Sequence, residues 1–169
     1  MTARPSLRLS AAALLLGVLI TLPPAYASGM KEGQPFPVFT MADENGKMVD
    51  VGTLIDKPAI VYFTHNSCHY CTQIIALLKR AEAKFGANKI AVIGINIMAR
   101  DGKMVKSYKK DLGFTFPMFA GNRDDVLNTY KINYVPVLVF IDSGKNVKRV
   151  VGHYIHEREL HTYIREIVK

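Results

Sequence analysis

Cysteine is scarce in this sequence and tryptophan is absent: the chain contains two cysteines, Cys68 and Cys71, and no tryptophan. No second cysteine pair is present to complete a zinc site, and the ligand-like spacing of His156 and His161 falls in a different segment. Covalent haem attachment is excluded because Thr72, and not histidine, follows the second cysteine. The sequence also lacks a second cysteine pair that could restore the redox state of Cys68 and Cys71, so a redox role would require a separate redox partner.

Acidic residues are scarce as well. The chain has 14 Asp and Glu against 22 Lys and Arg, a formal net charge of +8. The densest lysines lie between positions 103 and 110, where their spacing predicts a solvated helix face. No aromatic–basic motif accompanies them, so no nucleic-acid partner is predicted.

Residues 1–27 are predicted to be a secretory signal peptide. Two arginines precede an apolar stretch from Leu9 to Leu22, and Ala25-Tyr26-Ala27 forms an A-x-A cleavage site. We therefore expect one domain over residues 28–169, periplasmic or otherwise exported, and soluble after signal cleavage. An uncleaved membrane anchor is the alternative. Outside the cytosol a disulfide can persist, so oxidant, isomerase and reductant roles all stay open.

The two cysteines lie in Ser67-Cys68-His69-Tyr70-Cys71, between a predicted strand and a predicted helix. Cys-X-X-Cys at such a junction is a redox motif. Its first cysteine lies at the helix N-terminus, where free N–H groups and the helix dipole favour the thiolate. We interpret Cys68 as the nucleophile and Cys71 as the resolving thiol. The alternatives are a metal-binding pair and a purely structural disulfide, which would gain little chain entropy across so short a loop.

Hydrophobic periodicity predicts an α/β domain with a mixed sheet and helices on both of its faces. An Asn-Gly pair at positions 45 and 46 predicts a hairpin between the first two strands. Strands are predicted at 39–42, 48–51, 58–63, 89–97, 116–119, 133–141 and 147–151, and helices at 69–85, 101–112, 124–130 and 157–168.

From about Gly33 to Val168 the chain resembles exported thioredoxin-like proteins of the TlpA/ResA type, which reduce disulfides in cytochrome maturation and related pathways. The likeness rests on the hairpin, the Cys68/Cys71 pair, an extra segment at 101–123 and the Val135-Pro136 pair. It implies a thioredoxin-like fold: a central mixed β-sheet flanked by helices, with an N-terminal β-hairpin and a central insertion. It also implies thiol:disulfide oxidoreductase activity and a cis proline, Pro136, facing the disulfide. No cofactor and no metal are predicted.

The sequence departs from that family at four positions, one of which is Ala76, where proline is common. Ser67 stands where tryptophan is usual, Tyr62 where thioredoxins carry a buried acid, and Ile74 where TlpA/ResA-type proteins often carry a glutamate. Both usual proton acceptors for the resolving thiol are therefore missing. The intervening His69-Tyr70 is closer to disulfide isomerases and oxidases, so the direction of electron flow stays open.

The remaining site predictions concern neighbours of the cysteines. His69 and Tyr70 are predicted to tune the redox pair, because a cationic imidazole would favour the thiolate and the reduced form; an exposed polar residue is the alternative for His69. Val135 and Pro136 are predicted to bind substrate, with the Val135 backbone pairing to an extended peptide. The hydroxyl of Tyr62 is predicted to lie under Cys71 or to be ordinary strand core.

Two histidine groups are interpreted as ordinary polar positions. His65, with Asn66 beside it, is predicted to give loop polarity or to line the rim of the site. His153, His156 and His161 are predicted to lie on a solvated loop and helix face.

Together these features predict an exported thiol:disulfide oxidoreductase acting on protein substrates with disulfides or thiols. We expect a reductant of the cytochrome or oxidase maturation type, recycled by a membrane or exported redox partner. The alternatives are a copper metallochaperone using the same two thiols, which suit Cu(I), and a disulfide oxidase or isomerase.

Overall fold

The computed structural model describes residues 29–169, so the predicted signal peptide lies outside the described residues. The described chain follows the predicted order of elements. Its strands are β1 (Thr40–Ala42), β2 (Met48–Asp50), β3 (Ala59–Thr64), β4 (Ala91–Asn96), β5 (Met118–Ala120), β6 (Val137–Ile141) and β7 (Val147–Val151). Its helices are α1 (His69–Phe85), α2 (Gly102–Leu112), α3 (Asp124–Tyr130) and α4 (Glu157–Ile167).

The seven strands described within residues 29–169 form one sheet in the order β2-β1-β5-β4-β3-β6-β7. Strand β4 pairs in parallel with both β3 and β5, whereas β6 pairs antiparallel with β3. The predicted mixed sheet is therefore confirmed. Strand β3, which leads into the cysteine motif, lies between two neighbours and is buried along its whole length.

Helices cover both faces of the sheet. Side chains of a strand alternate between the two faces, so each strand contributes to the core on both sides. Ile60 and Tyr62 of β3 belong to a core cluster that includes residues of α1, α2 and α4. Val61 and Phe63 belong to a second cluster, which α3 and the N-terminal segment complete. The two clusters hold β3 rigidly, and with it the start of the motif.

The predicted N-terminal hairpin forms at the edge of the sheet, with Thr40 paired to Asp50 and Ala42 to Met48. The side chain of Asp43 closes its turn by accepting hydrogen bonds from the backbone N–H groups of Asn45 and Lys47. The segment 101–123, predicted as an insertion, contributes α2 and β5, and β5 joins the sheet between β1 and β4.

Several element boundaries differ from the prediction, and the differences at β6, at β5 and at the end of β2 follow from the local backbone. Strand β6 begins at Val137 and not at residue 133, because the Val135–Pro136 peptide bond is cis and Pro136 has no N–H to donate to a ladder. Strand β5 begins only after Pro117. Residues Val51–Leu54 form a short 3-10 helix and do not extend β2, because the Asp50 side chain accepts the N–H of Gly52 and caps that turn.

Candidate functional site

The cysteine motif lies where β3 ends and α1 begins. Residues 65–67 form an exposed or half-buried turn, and Cys68 is the N-cap of α1 with an extended backbone, φ −102° and ψ 106°. Its sulfur accepts a hydrogen bond from the backbone N–H of Cys71, at 3.1 Å. The predicted position of the first cysteine at a helix N-terminus is confirmed, and there the helix offers its free N–H groups to a thiolate.

Cys68 and Cys71 form a disulfide, with their Cα atoms 5.1 Å apart. Their surroundings differ. Cys68 is half-buried at the rim of the site, whereas Cys71 is fully buried in the core cluster beneath it. An incoming thiol or disulfide therefore reaches the sulfur of Cys68 first.

The two residues between the cysteines are exposed. Tyr70 is 57% exposed, and its ring lies 5.8 Å from those of His69 and Tyr154. The imidazole Nε2 of His69 lies 3.0 Å from the Gln73 side-chain nitrogen, one helical turn further on. The His69 side chain therefore contacts the next turn of α1, and its role in tuning Cys68 stays a prediction.

Val135 and Pro136 lie at the same end of the sheet as the motif. Phe63 of β3 is paired with Val137 of the antiparallel β6, so the residue after Phe63 and the residue before Val137 are neighbours. The predicted cis bond between Val135 and Pro136 is present. Pro136 is buried and Val135 half-buried, and the topology brings this pair next to the turn that leads to Cys68.

Tyr62 and Ile74, the two positions where a carboxylate is usual in related proteins, lie beneath the motif. The Tyr62 hydroxyl, fully buried, donates a hydrogen bond to the carbonyl oxygen of Cys71 at 3.0 Å, as predicted for a group under Cys71. Burial strongly raises the pKa of Tyr62, so its hydroxyl stays protonated and is a donor. Ile74, the other position where a carboxylate is usual, is also fully buried.

Sequence reasoning missed two residues that contact the turn before Cys68. Asn96, at the end of β4, is fully buried and donates to the side-chain oxygen of Asn66 at 2.7 Å. Tyr108, on α2, lies 2.9 Å from the hydroxyl of Thr64. The signal that could have identified Asn96 is its place as the polar end of an apolar strand; Tyr108 resembles any other core position of an amphipathic helix.

The interpretation of the three C-terminal histidines is correct for His153 and His156, which are exposed, and wrong for His161. His161 is only 6% exposed, because the apolar face of α4 packs onto α1 and carries it into the contact. There its ring packs edge-on against Phe85, at 5.3 Å, and its Nδ1 lies 3.4 Å from the Lys84 ammonium.

Two absences are found within residues 29–169. Over that range, no cluster of three or more His, Cys, Asp or Glu side chains is arranged to hold a metal ion. Within the same residues, no helix is both long enough and apolar enough to cross a membrane.

Comparison with known proteins extends these observations. The chain is 23% identical over 138 residues to the thiol-disulfide oxidoreductase ResA of Bacillus subtilis, an alignment that covers 82% of this chain and 76% of ResA. A thiol:disulfide interchange protein of the thioredoxin family from Chlorobium tepidum superposes with a TM-score of 0.70 at 19% identity, over 82% of this chain and 98% of that one. A thiol:disulfide interchange protein from a Bacteroides species gives a TM-score of 0.70 at 18% identity, over 83% and 91%. At these identities the structural matches establish the fold.

The fold and the Cys68–Cys71 disulfide at the start of α1 define the class of this protein: a thioredoxin-like thiol:disulfide oxidoreductase. The predicted resemblance to the TlpA/ResA type is thereby confirmed. The chain belongs to the AhpC/TSA family, whose model matches residues 33–150.

Proposed function

We propose that this protein is an exported thiol:disulfide oxidoreductase that reduces disulfides in protein substrates. The observation that carries the proposal is the asymmetry of the two sulfurs: Cys68 lies at the rim, on the N-terminus of α1, and Cys71 is buried directly behind it. A nucleophile must be reachable and stabilised as a thiolate, whereas a resolving thiol must be shielded from the substrate.

The reaction consists of two thiol–disulfide exchanges. In the reduced protein, the Cys68 thiolate attacks one sulfur of the substrate disulfide, forms a mixed disulfide and expels the other substrate sulfur as a thiolate. Cys71 then loses its proton and attacks the Cys68 sulfur. The second substrate thiol leaves, the Cys68–Cys71 disulfide forms, and two electrons have passed to the substrate. A dithiol redox partner, membrane-bound or exported, restores the reduced pair by the reverse exchanges.

Substrate binding is assigned to Val135 and Pro136. Pro136 supplies no N–H to the sheet, and β6 begins only at Val137, so the backbone of Val135 lies outside the ladder. An extended substrate segment could pair with it as an added strand, next to Cys68. Tyr70 and His69 would border this segment on the other side of the motif.

The proposed export and the proposed direction of electron flow are supported by different observations. The basic start, the apolar stretch and the A-x-A site of residues 1–27 support export through a cleaved signal peptide. The TlpA/ResA resemblance supports a reductant role in cytochrome or oxidase maturation. Thiol trapping in cells tests the direction: a mostly reduced Cys68–Cys71 pair is expected, and a mostly oxidised pair would make the protein an oxidase.

A trapping experiment tests the chemistry itself. Cys71→Ser leaves the nucleophile but removes the resolving thiol, so disulfide-linked complexes with the natural substrate should accumulate on Cys68. Cys68→Ser is the matched control and should trap nothing. If Cys71→Ser also traps nothing while the wild-type protein binds Cu(I) tightly at one equivalent, the metallochaperone function replaces this one.

A further inference from the structure

The turn that precedes Cys68, residues 65–67, buries few of its side chains. Asn66 and Ser67 are exposed and His65 is half-buried. Within the turn, the His65 ring nitrogen Nδ1 accepts the N–H of Ser67 at 3.1 Å, and the His65 carbonyl accepts the N–H of Cys68 at 3.3 Å. These short-range bonds shape the turn but do not attach it to the rest of the domain.

Asn96 makes the first attachment. It is the last residue of β4 and is fully buried. Its amide nitrogen donates to the side-chain oxygen of Asn66 at 2.7 Å, and its amide oxygen accepts the N–H groups of Met98 and Ala99, each at 3.1 Å. Because a buried amide left without partners is destabilising, this side chain has one favourable orientation. That orientation holds Asn66 two residues before Cys68.

Tyr108 makes the second attachment, from α2. Its ring is 4% exposed, and its hydroxyl lies 2.9 Å from that of Thr64, the last residue of β3. The same hydroxyl donates to the carbonyl oxygen of His65 at 3.5 Å. The Thr64 hydroxyl can then donate to the Tyr108 oxygen, so both groups are satisfied. Burial raises the pKa of Tyr108, which keeps its proton available for the His65 carbonyl.

We propose that Asn96 and Tyr108 are positioning residues for the nucleophile: together they hold the 65–67 turn so that the Cys68 sulfur stays at the N-cap of α1. The proposal rests on the proposed function, in which Cys68 is the attacking thiolate. If the turn loosens, Cys68 leaves its extended N-cap conformation for part of the time and loses the Cys71 N–H. A thiolate without that donor is less stable, so the Cys68 pKa rises and attack slows.

This arrangement gives the inserted segment 101–123 a role in the chemistry. Helix α2 supplies Tyr108, whereas Asn96 and the N–H groups that orient it, those of Met98 and Ala99, precede the inserted segment. The insertion therefore braces the turn from the side that lies away from Val135 and Pro136, since β4 and β6 flank β3 on opposite edges.

The experiment compares Asn66→Ala with Asn122→Ala on the reduced, purified chain. Asn66 is exposed, so its replacement removes the Asn96 contact without creating a cavity. Asn122 is the matched control, because its amide bonds the Met98 carbonyl of the same loop, at 3.4 Å, but does not touch the turn. The measurements are the Cys68 pKa, from thiolate absorbance, and the rate of reaction with a small aromatic disulfide.

Asn66→Ala is expected to raise the Cys68 pKa and to slow the reaction about 2- to 10-fold, the range that one hydrogen bond supports. Asn122→Ala should match the wild type in both. The pair Asn66→Ala with Asn96→Ala should be no slower than the slower single variant, because both remove the same bond. If Asn96→Ala does not fold, Asn66→Ala still decides the point.

Tyr108→Phe tests the second attachment by deleting only the hydroxyl, with Tyr163→Phe on α4 as its control, since that hydroxyl bonds Glu159 far from the turn. Tyr108→Phe should act in the same direction as Asn66→Ala. Unchanged Cys68 pKa values and rates in both Asn66→Ala and Tyr108→Phe would overturn the proposal. The proposed function fails separately, if the wild-type chain cannot reduce a protein disulfide, and that result would not alter the thiolate titrations.

Discussion

The hydroxyl of Tyr62 donates a hydrogen bond to the carbonyl oxygen of Cys71 at 3.0 Å, in the fully buried layer beneath the disulfide. A thioredoxin would have a carboxylate at this position, which could accept the proton of the resolving thiol. Tyr62, with its raised pKa, can only donate. In this protein the group under the motif therefore bonds the backbone of Cys71 and is not a proton acceptor.

Tyr62→Phe is expected to lower the free energy of unfolding by about 0.5–1.5 kcal/mol, the usual net value of one hydrogen bond. It should also slow the release of substrate from the mixed disulfide, because the first turn of α1 loses a contact at Cys71. Denaturant unfolding and single-turnover kinetics measure the two effects. Tyr130→Phe is the control: it deletes the hydroxyl that bonds the Pro37 carbonyl, on the other face of the sheet. It should lower stability but leave substrate release unchanged; a rate unchanged in both variants would contradict the prediction.

Ile74→Glu is expected to speed the resolving step near neutral pH, because it restores a carboxylate that could accept the Cys71 proton. Ile74 is fully buried, so the new carboxyl would have a raised pKa and the variant would lose stability. Ile74→Gln is the control for size and polarity, because it cannot titrate. If resolution is already fast in the wild type, or if both variants resolve at the same rate, water or another group takes the proton.

His69→Ala is expected to make the pair less oxidising, because an imidazolium next to the thiolate stabilises the reduced form. Redox titration against glutathione measures the reduction potential, which should become more negative. Gln73→Ala, which removes the partner of His69 but leaves the ring, is the companion variant. A potential unchanged in His69→Ala would make His69 an ordinary exposed residue of the motif.

Pro136→Thr, combined with Cys71→Ser, is expected to change which partners are trapped on Cys68, because in the proposed substrate site the Val135 backbone, and not the thiol chemistry, selects them. Mass spectrometry of the disulfide-linked complexes, with and without the proline, measures this. Identical sets of trapped partners would remove Val135 and Pro136 from the substrate site and leave the redox assignment in place.

His161 is expected to make folding sensitive to acid. Burial, and next the charge of Lys84, lower its pKa below the ordinary value, with Glu157 opposing and Arg165 and Arg80 adding to the effect. The unfolded state therefore binds more protons, and stability falls as pH drops through about 6.5, the ordinary histidine value.

Urea unfolding between about pH 8 and about pH 5 measures this dependence, because that range brackets the ordinary pKa of histidine. His161→Leu should flatten the curve, whereas His156→Gln, at an exposed position, should keep the wild-type curve. Equal slopes in all three proteins would show that other groups govern the acid sensitivity.

Local patterns predicted most of the helices and strands correctly. The bounds of α1 and α3 match the prediction, since each helix follows from apolar spacing over its own residues and from signals at its ends. Two of the errors have different causes. Strand β6 is shorter than its apolar run because Pro136 has no N–H to donate to the ladder, which the local sequence already indicates. His161 is buried because α4 packs against α1, a contact between distant segments that no short window of sequence encodes.

The sequence by itself determined the redox pair, its order along the chain and its place at a strand–helix junction, because all of these depend on residues within one turn of Cys68. Only the tertiary structure decided what surrounds the pair. Tyr62 lies under Cys71, Pro136 stands beside the end of β3, and Asn96 holds the turn before Cys68. For Pro136 and Asn96 the physical reason is strand pairing: β4 and β6 are far from the motif in sequence, and their register with β3 brings these two residues to one end of the sheet.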